Sequence, residues 1–188
     1  MQSKHHACMC QRSLTLAFLK PNPLDHWVNR LTASVSEHPV CHVELFFESL
    51  NQCFSILWGG IAGFKTKSLS NPNYVLVTLS VTSREYETCL DFCRMISMQN
   101  IGFDEYGMWQ SMYTSGCCSQ HSQSVGSTFC SKIITEALQH ASVDEVEYLV
   151  PACTTPSRLY SAIRRSRRLV CNSVPFKRQA LLQFASST

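Results

Sequence analysis

The sequence predicts an α+β domain, a small antiparallel sheet packed against helices, and three observations carry that expectation. Short runs rich in β-branched and aromatic residues, bounded by turn signals, fill the first 81 positions. Two longer stretches with apolar residues at helical spacing follow, around residues 82–99 and 127–141, and a last short helix lies beyond them. Strands and helices are therefore segregated along the chain rather than alternating as a parallel sheet requires. With 188 residues, 45% of them hydrophobic, there is material for one core and too little for two ordinary domains.

Each element has its own local reason. Residues 13–20 alternate and read as a strand halted by Pro21 and Pro23. Leu24, Trp27, Val28 and Leu31 recur at helical spacing, so 24–33 reads as a short amphipathic helix. Residues 41–47 (CHVELFF) and 53–58 (CFSILW), joined by the polar 48–52 and closed by Gly59-Gly60, form a hairpin-like pair. After the turn Asn71-Pro72-Asn73, Val75, Val77, Leu79 and Val81 mark a strand. Thr82 and Glu85 then form a capping box for a helix whose stripe is Tyr86, Cys89, Leu90, Cys93 and Ile96. Residues 101–125 show no period and read as a long loop, the kind of segment that often carries function. The strongest helix follows, with Ser127 or Thr128 as N-cap and Phe129, Ile133, Ile134, Ala137, Leu138 and Ala141 on its apolar face. Thr155-Pro156 opens the last helix, which carries Leu159, Tyr160 and Ile163. The domain organisation expected is a polar leader over 1–12, a domain over 13–163, and a basic C-terminal tail over 164–188. In that tail Val174, Phe176, Leu181, Leu182 and Phe184 could pack back on the domain.

Composition narrows the function classes. A net charge of +3 is too small to mark a nucleic-acid binder by itself. The excess is local, in Arg164, Arg165, Arg167 and Arg168, which reads either as a weak polyanion contact or nuclear address or as a solvated helix end. Eleven cysteines cannot all pair within one chain, and the longest early apolar run, residues 14–19, is too short to span a bilayer. An intracellular, cytoplasmic setting with reduced thiols is the expectation.

Among those cysteines Cys130 stands apart, because it falls in the first turn of the strongest helix, where amide N–H groups and the helix dipole lower a thiol pKa. A small buried residue would also suit that place. His42, on an apolar strand between Cys41 and Val43, needs a hydrogen-bond partner and is the matching candidate base. His5, His6, Cys8 and Cys10, and separately Cys117, Cys118 and His121, lack a zinc-like spacing, so no metal or other cofactor is expected.

The strings His42-Val43-Glu44-Leu45-Phe46-Phe47, Cys53-Phe54-Ser55-Ile56-Leu57-Trp58-Gly59-Gly60 and Thr128-Phe129-Cys130-Ser131-Lys132-Ile133-Ile134, with Thr155-Pro156-Ser157-Arg158-Leu159-Tyr160, resemble the circularly permuted branch of the NlpC-type papain-like superfamily. The versions most similar in these strings come from large DNA viruses, which would place the protein in an infected host cell. The resemblance covers residues 24–163 and implies a permuted papain-like fold. It also implies Cys130 as nucleophile, His42 as general base, and an orienting residue on the second strand at Ser55. Serine is a weak orienter, and Glu44, two residues along the same strand face as His42, could take the role, since a carboxylate holds an imidazolium better. The activity implied is that of a thiol hydrolase or acyltransferase on a peptide, protein or acyl-lipid substrate. The alternative is a catalytically silent binding module whose basic tail contacts nucleic acid or an acidic partner. Trp58 with Gly59-Gly60 is expected to wall the cleft, and Trp109 to sit on a loop over it.

Overall fold

The computed structural model describes residues 11–113 and 126–172. Strand β1 (Gln11–Leu19) pairs on one side with β2 (His42–Phe47) and on the other with β5 (Tyr74–Thr82). From β2 the sheet continues to β3 (Gln52–Ser55) and β4 (Gly63–Lys65), and β5 carries β8 (Leu169–Asn172) at the far edge. The order is β4-β3-β2-β1-β5-β8, antiparallel throughout. Five helices pack with it: α1 (Trp27–Ser34), α2 (Ser83–Met98), α3 (Glu105–Tyr113), α4 (Cys130–His140) and α5 (Pro156–Ile163).

The core follows from the period of two. Leu14, Leu16 and Phe18 of β1, Val43, Leu45 and Phe47 of β2, and Val77, Leu79 and Val81 of β5 are all fully buried. They meet Tyr86, Cys89 and Leu90 of α2, Ile133, Ile134 and Leu138 of α4, and Leu159 and Ile163 of α5 in one cluster. Each such side chain contributes roughly 1.5–3 kcal/mol by leaving water. The intervening residues of β2, His42 and Glu44, therefore project to the other side of the pleat. The capping box of α2 forms as read: Glu85 N–H donates to Thr82 Oγ1 at 3.2 Å, and Thr82 N–H to Glu85 Oε2 at 2.6 Å.

Four elements differ from the sequence reading. Helix α1 starts at Trp27, and Leu24 is 95% exposed, because His26 takes the N-cap place and its Nδ1 accepts the Val28 N–H at 3.4 Å. The expected loop contains α3, whose start is fixed by Asp104: its Oδ1 accepts the Gly107 N–H at 2.8 Å, and a Cβ at Gly107 would collide with that same carboxyl. A two-residue parallel ladder, β6 (Gly102–Phe103) with β7 (Ser127–Thr128), brings the start of α3 beside the start of α4. Thr128 thus lies in a strand, and the N-cap of α4 is Phe129, with no side-chain cap. Last, the basic run leads into the sheet. Ser80 N–H donates to Arg168 O at 2.8 Å, and β8 pairs Leu169 with Leu79 and Asn172 with Val77. Arg168 reaches Glu85 at 2.6 Å, Asp144 at 3.3 Å and Glu145 at 3.8 Å, while Arg164 lies over the Tyr160 ring, 5.7 Å from its centroid. Arg168 is thus engaged by carboxylates of the same chain rather than solvated at a helix end. No helix among the described residues is long and apolar enough to cross a membrane.

Candidate active site

His42 opens β2, opposite Leu19 of β1, and Glu44 follows it on the same strand face, opposite Ala17. The β2–β3 register pairs Leu45 with Phe54, so one step further along the ladder Ser55 comes beside Glu44. Cys130 reaches this end of the sheet from the N-terminus of α4. Cys130, His42, Glu44 and Ser55, the four residues singled out from the sequence, are thus brought together, and all four are buried.

Both candidate orienters touch the same ring nitrogen. His42 Nε2 lies 3.1 Å from Glu44 Oε1 and 3.0 Å from Ser55 Oγ, whose hydroxyl in turn donates to Val43 O at 3.3 Å. Ser55 therefore accepts from Nε2–H alongside Glu44, and only Glu44 brings charge. With Nε2 so engaged, Nδ1 is the ring nitrogen left for a thiol, and Cys130 lies near enough to the ring for each group to shift the other's titration. A thiol, an imidazole and an oriented carboxylate in series form the nucleophile–base–orienter arrangement of thiol catalysis.

The electrostatics follow from those contacts. Burial works against a charged imidazole, but the Cys130 thiolate and then Glu44 outweigh it and raise the His42 pKa from 6.5 to about 9. Burial likewise opposes the Cys130 thiolate. The charge and hydrogen bond of His42, with the N–H groups of Val43 and Ser131 aimed at the sulfur, nevertheless bring its pKa below the usual 9.0. Both shifts act in the direction that favours the thiolate–imidazolium form of the pair. Other buried thiols go the opposite way: burial and the neighbouring Cys130 push Cys41 up to about 12, and burial and Glu44 push Cys53 up to about 12. Burial raises Cys93 as well. Cys41, Cys53, Cys89, Cys93 and Cys130 are free thiols, whereas Cys153 is disulfide-bonded, against the expectation of reduced cysteines throughout.

Sequence reasoning missed two participants. Lys67, just beyond β4, donates to Glu44 Oε1 at 2.6 Å, and the Tyr74 hydroxyl at the start of β5 lies 3.5 Å from the same oxygen. Together with burial, which opposes them, His42 and Lys67 bring the Glu44 pKa from 4.5 down to about 2. Nothing in the string Lys65-Thr66-Lys67 separates it from a solvated run, because its role depends on strand register. Around the cleft, Phe129 packs with Val28, Met108, Phe103, Trp109 and Met112. Trp109 stacks on Trp27 at 5.9 Å, and Trp58 meets Phe103 at 5.2 Å. Trp58 also meets Trp109 at 6.3 Å, and Trp109 sits on helix α3 rather than on a loop. Cys117, Cys118 and His121, and likewise His5, His6, Cys8 and Cys10, lie outside the described residues. Among those described, no group of three or more His, Cys, Asp or Glu residues could hold a metal ion.

The chain matches no protein-family model, and no curated protein matches it.

Proposed function

We propose that the protein is a thiol hydrolase or acyltransferase with the architecture of the circularly permuted, NlpC-type papain-like superfamily. The observation that carries this reading is the convergence of buried Cys130, at the uncapped start of α4, with His42, whose Nε2 is held by Glu44 and Ser55. In the first half-reaction the Cys130 thiolate adds to an amide or ester carbonyl. The carbonyl oxygen takes up the negative charge near the backbone N–H of Cys130. As the tetrahedral species collapses, the bond to the leaving group breaks, and the His42 imidazolium gives that group its proton, leaving an acyl-thioester on Cys130 and a neutral imidazole. In the second half-reaction His42 takes a proton from water or another hydroxyl or amine acceptor as it attacks the thioester. Breaking the carbon–sulfur bond returns the thiolate and the imidazolium.

The charged orienter supports an active enzyme over a silent binding module. Ser55 alone would hold the ring weakly, whereas Glu44 is buried, ionised and in contact with it. The test is alkylation by iodoacetamide between pH 5 and 9, mapped peptide by peptide. Cys130 is expected to be labelled selectively at neutral and mildly acidic pH. Thioester formation on Cys130 with activated acyl esters should show the same dependence on His42. Uniform labelling of all accessible thiols, with no preference for Cys130 below pH 7, would overturn the reading.

A further inference from the structure

We propose that Lys67 is a positioning residue of this site, which holds Glu44 in place and limits how tightly His42 keeps its proton. The inference deepens the thiol-enzyme reading and rests on it. Lys67 and His42 share a single carboxylate oxygen, Oε1, at 2.6 and 3.1 Å, while Glu44 Oε2 makes no hydrogen bond among the described residues. Glu44 lines a cavity of about 140 Å³ together with Cys53, Ser55, Lys65 and Lys67. The Lys67 side chain is 35% exposed and reaches in from the surface, whereas that of Glu44 is 3% exposed. Its ammonium also lies 5.3 Å from the centroid of the Tyr74 ring, which limits where it can move.

The groups facing the His42–Glu44 pair can be named element by element. Helix α4 supplies Cys130, β3 supplies Cys53 and Ser55, the segment from β4 onward supplies Lys65 and Lys67, and β5 supplies Tyr74. The β1 residues opposite are Leu19 and Ala17, which carry no charge. Charge therefore alternates from the Cys130 thiolate through His42 and Glu44 to Lys67. The terminal cation does two things. It keeps a buried carboxylate ionised, and it offsets part of the attraction that Glu44 would otherwise direct wholly at the imidazolium. The second effect matters for chemistry because His42 must release its proton to the leaving group, and an imidazolium held too tightly is a poor acid.

The test follows the His42 ring by NMR titration in the full chain, in the wild type and in Lys67→Met, Lys67→Gln, Lys67→Arg, Glu44→Gln and the Glu44→Gln/Lys67→Met double variant. Removing the ammonium is expected to raise the His42 titration by about one pH unit and to carry the alkaline limb of turnover with it. Lys67→Arg restores the wild-type value, and Lys67→Gln gives the same upward shift if Lys67→Met does not fold. In the Glu44→Gln background the lysine substitution should have a smaller effect, because the share that runs through the common carboxylate is gone. An unchanged or lowered His42 titration in Lys67→Met and Lys67→Gln, or an equal shift without Glu44, overturns the inference even when Cys130 is still selectively alkylated. Loss of that selectivity in the wild type would instead remove the enzyme reading itself.

Discussion

At one side of the sheet His42 and Lys67 share an oxygen of Glu44; at the opposite edge Arg168 spreads its guanidinium over Glu85, Asp144 and Glu145. Both are networks of cations and carboxylates that tie separate segments together, yet they differ in burial and in the kind of cation. The His42 and Glu44 side chains are 9% and 3% exposed, whereas Arg168 is 32% and Asp144 78% exposed. Arginine keeps its charge at every accessible pH, so its network acts as a fixed clip joining β8 to the start of α2 and the turn at residues 144–146. Histidine and thiol can exchange a proton, and where water is excluded their interaction with each other is screened least. A network of fixed charge and a network able to titrate are thus separated by the groups they contain and how far water is excluded.

The deepest loss is expected where the Cys130 thiol itself is removed. Cys130→Ala should abolish thioester formation and lower any turnover by at least about 1,000-fold. Arg168→Met should leave the rate of Cys130 alkylation within about twofold of wild type; a comparable loss there would mean that the two networks are one.

Glu44→Gln comes next. It keeps the shape and removes the charge, so turnover is expected to fall roughly 10- to 100-fold and the His42 titration to move to lower pH. Rate measurements against pH decide this, and an unshifted alkaline limb would show that the carboxylate does not support the imidazolium.

Arg168→Met should act on stability alone, by roughly 1–2 kcal/mol in denaturant unfolding, with hydrogen exchange in β8 and β5 rising first. Because this clip is partly exposed, 1 M salt should weaken the wild type toward the variant, while the buried Cys130–His42 pair responds less.

The pH dependence of stability separates the two regions further. Glu44, lowered to about 2, contributes stability that is present above 4.5 and lost as pH falls through about 2; Glu85, also lowered through Arg168, has the same sign. His42 alone would contribute stability present below 6.5 and lost as pH rises through about 9. Cys130 has the opposite sign, with stability present above 9.0 and lost as pH falls through its lowered value. The contributions of His42 and Cys130 therefore oppose one another. Wild-type unfolding free energy should decline in acid as Glu44 and Glu85 take up protons. In Cys130→Ala the His42 pKa loses its largest upward influence, and the same measurement should show a changed acid limb.

Ser55→Ala should have the smallest effect, less than the Glu44 substitution in turnover and without a shift of the pH profile, because the hydroxyl adds an acceptor to Nε2 but no charge. The opposite ranking would return the orienting role to β3.

Much of this was legible from local rules. The alternation of Val75 to Val81, the Thr82–Glu85 capping box and the Thr155-Pro156 start all reflect contacts within a few residues, and each forms as read. Cys130 and His42 could be singled out for the same reason: a helix start lowers a thiol pKa, and a histidine on an apolar strand needs a partner. Helix α3 escaped notice because Tyr106, Met108, Trp109 and Met112 make no single stripe, and its start depends on a cap from Asp104 beside a glycine. Strand β4 is only three residues long, and β8 follows a basic run that looks solvated until Glu85, Asp144 and Glu145 are brought around Arg168.

Local sequence rules were enough for the α+β class, the apolar faces and the choice of Cys130 and His42 as candidates, because propensity, period and capping act over one or two turns of chain. Tertiary structure alone decided that Glu44 and Ser55 both reach Nε2, that Lys67 takes the same carboxylate oxygen, and that Phe129 leaves the start of α4 without a side-chain cap. Those facts depend on the register of β2 against β3 and on where β6 and β7 meet. Register is set by the packing of the whole sheet face, and no spacing within a single segment encodes it.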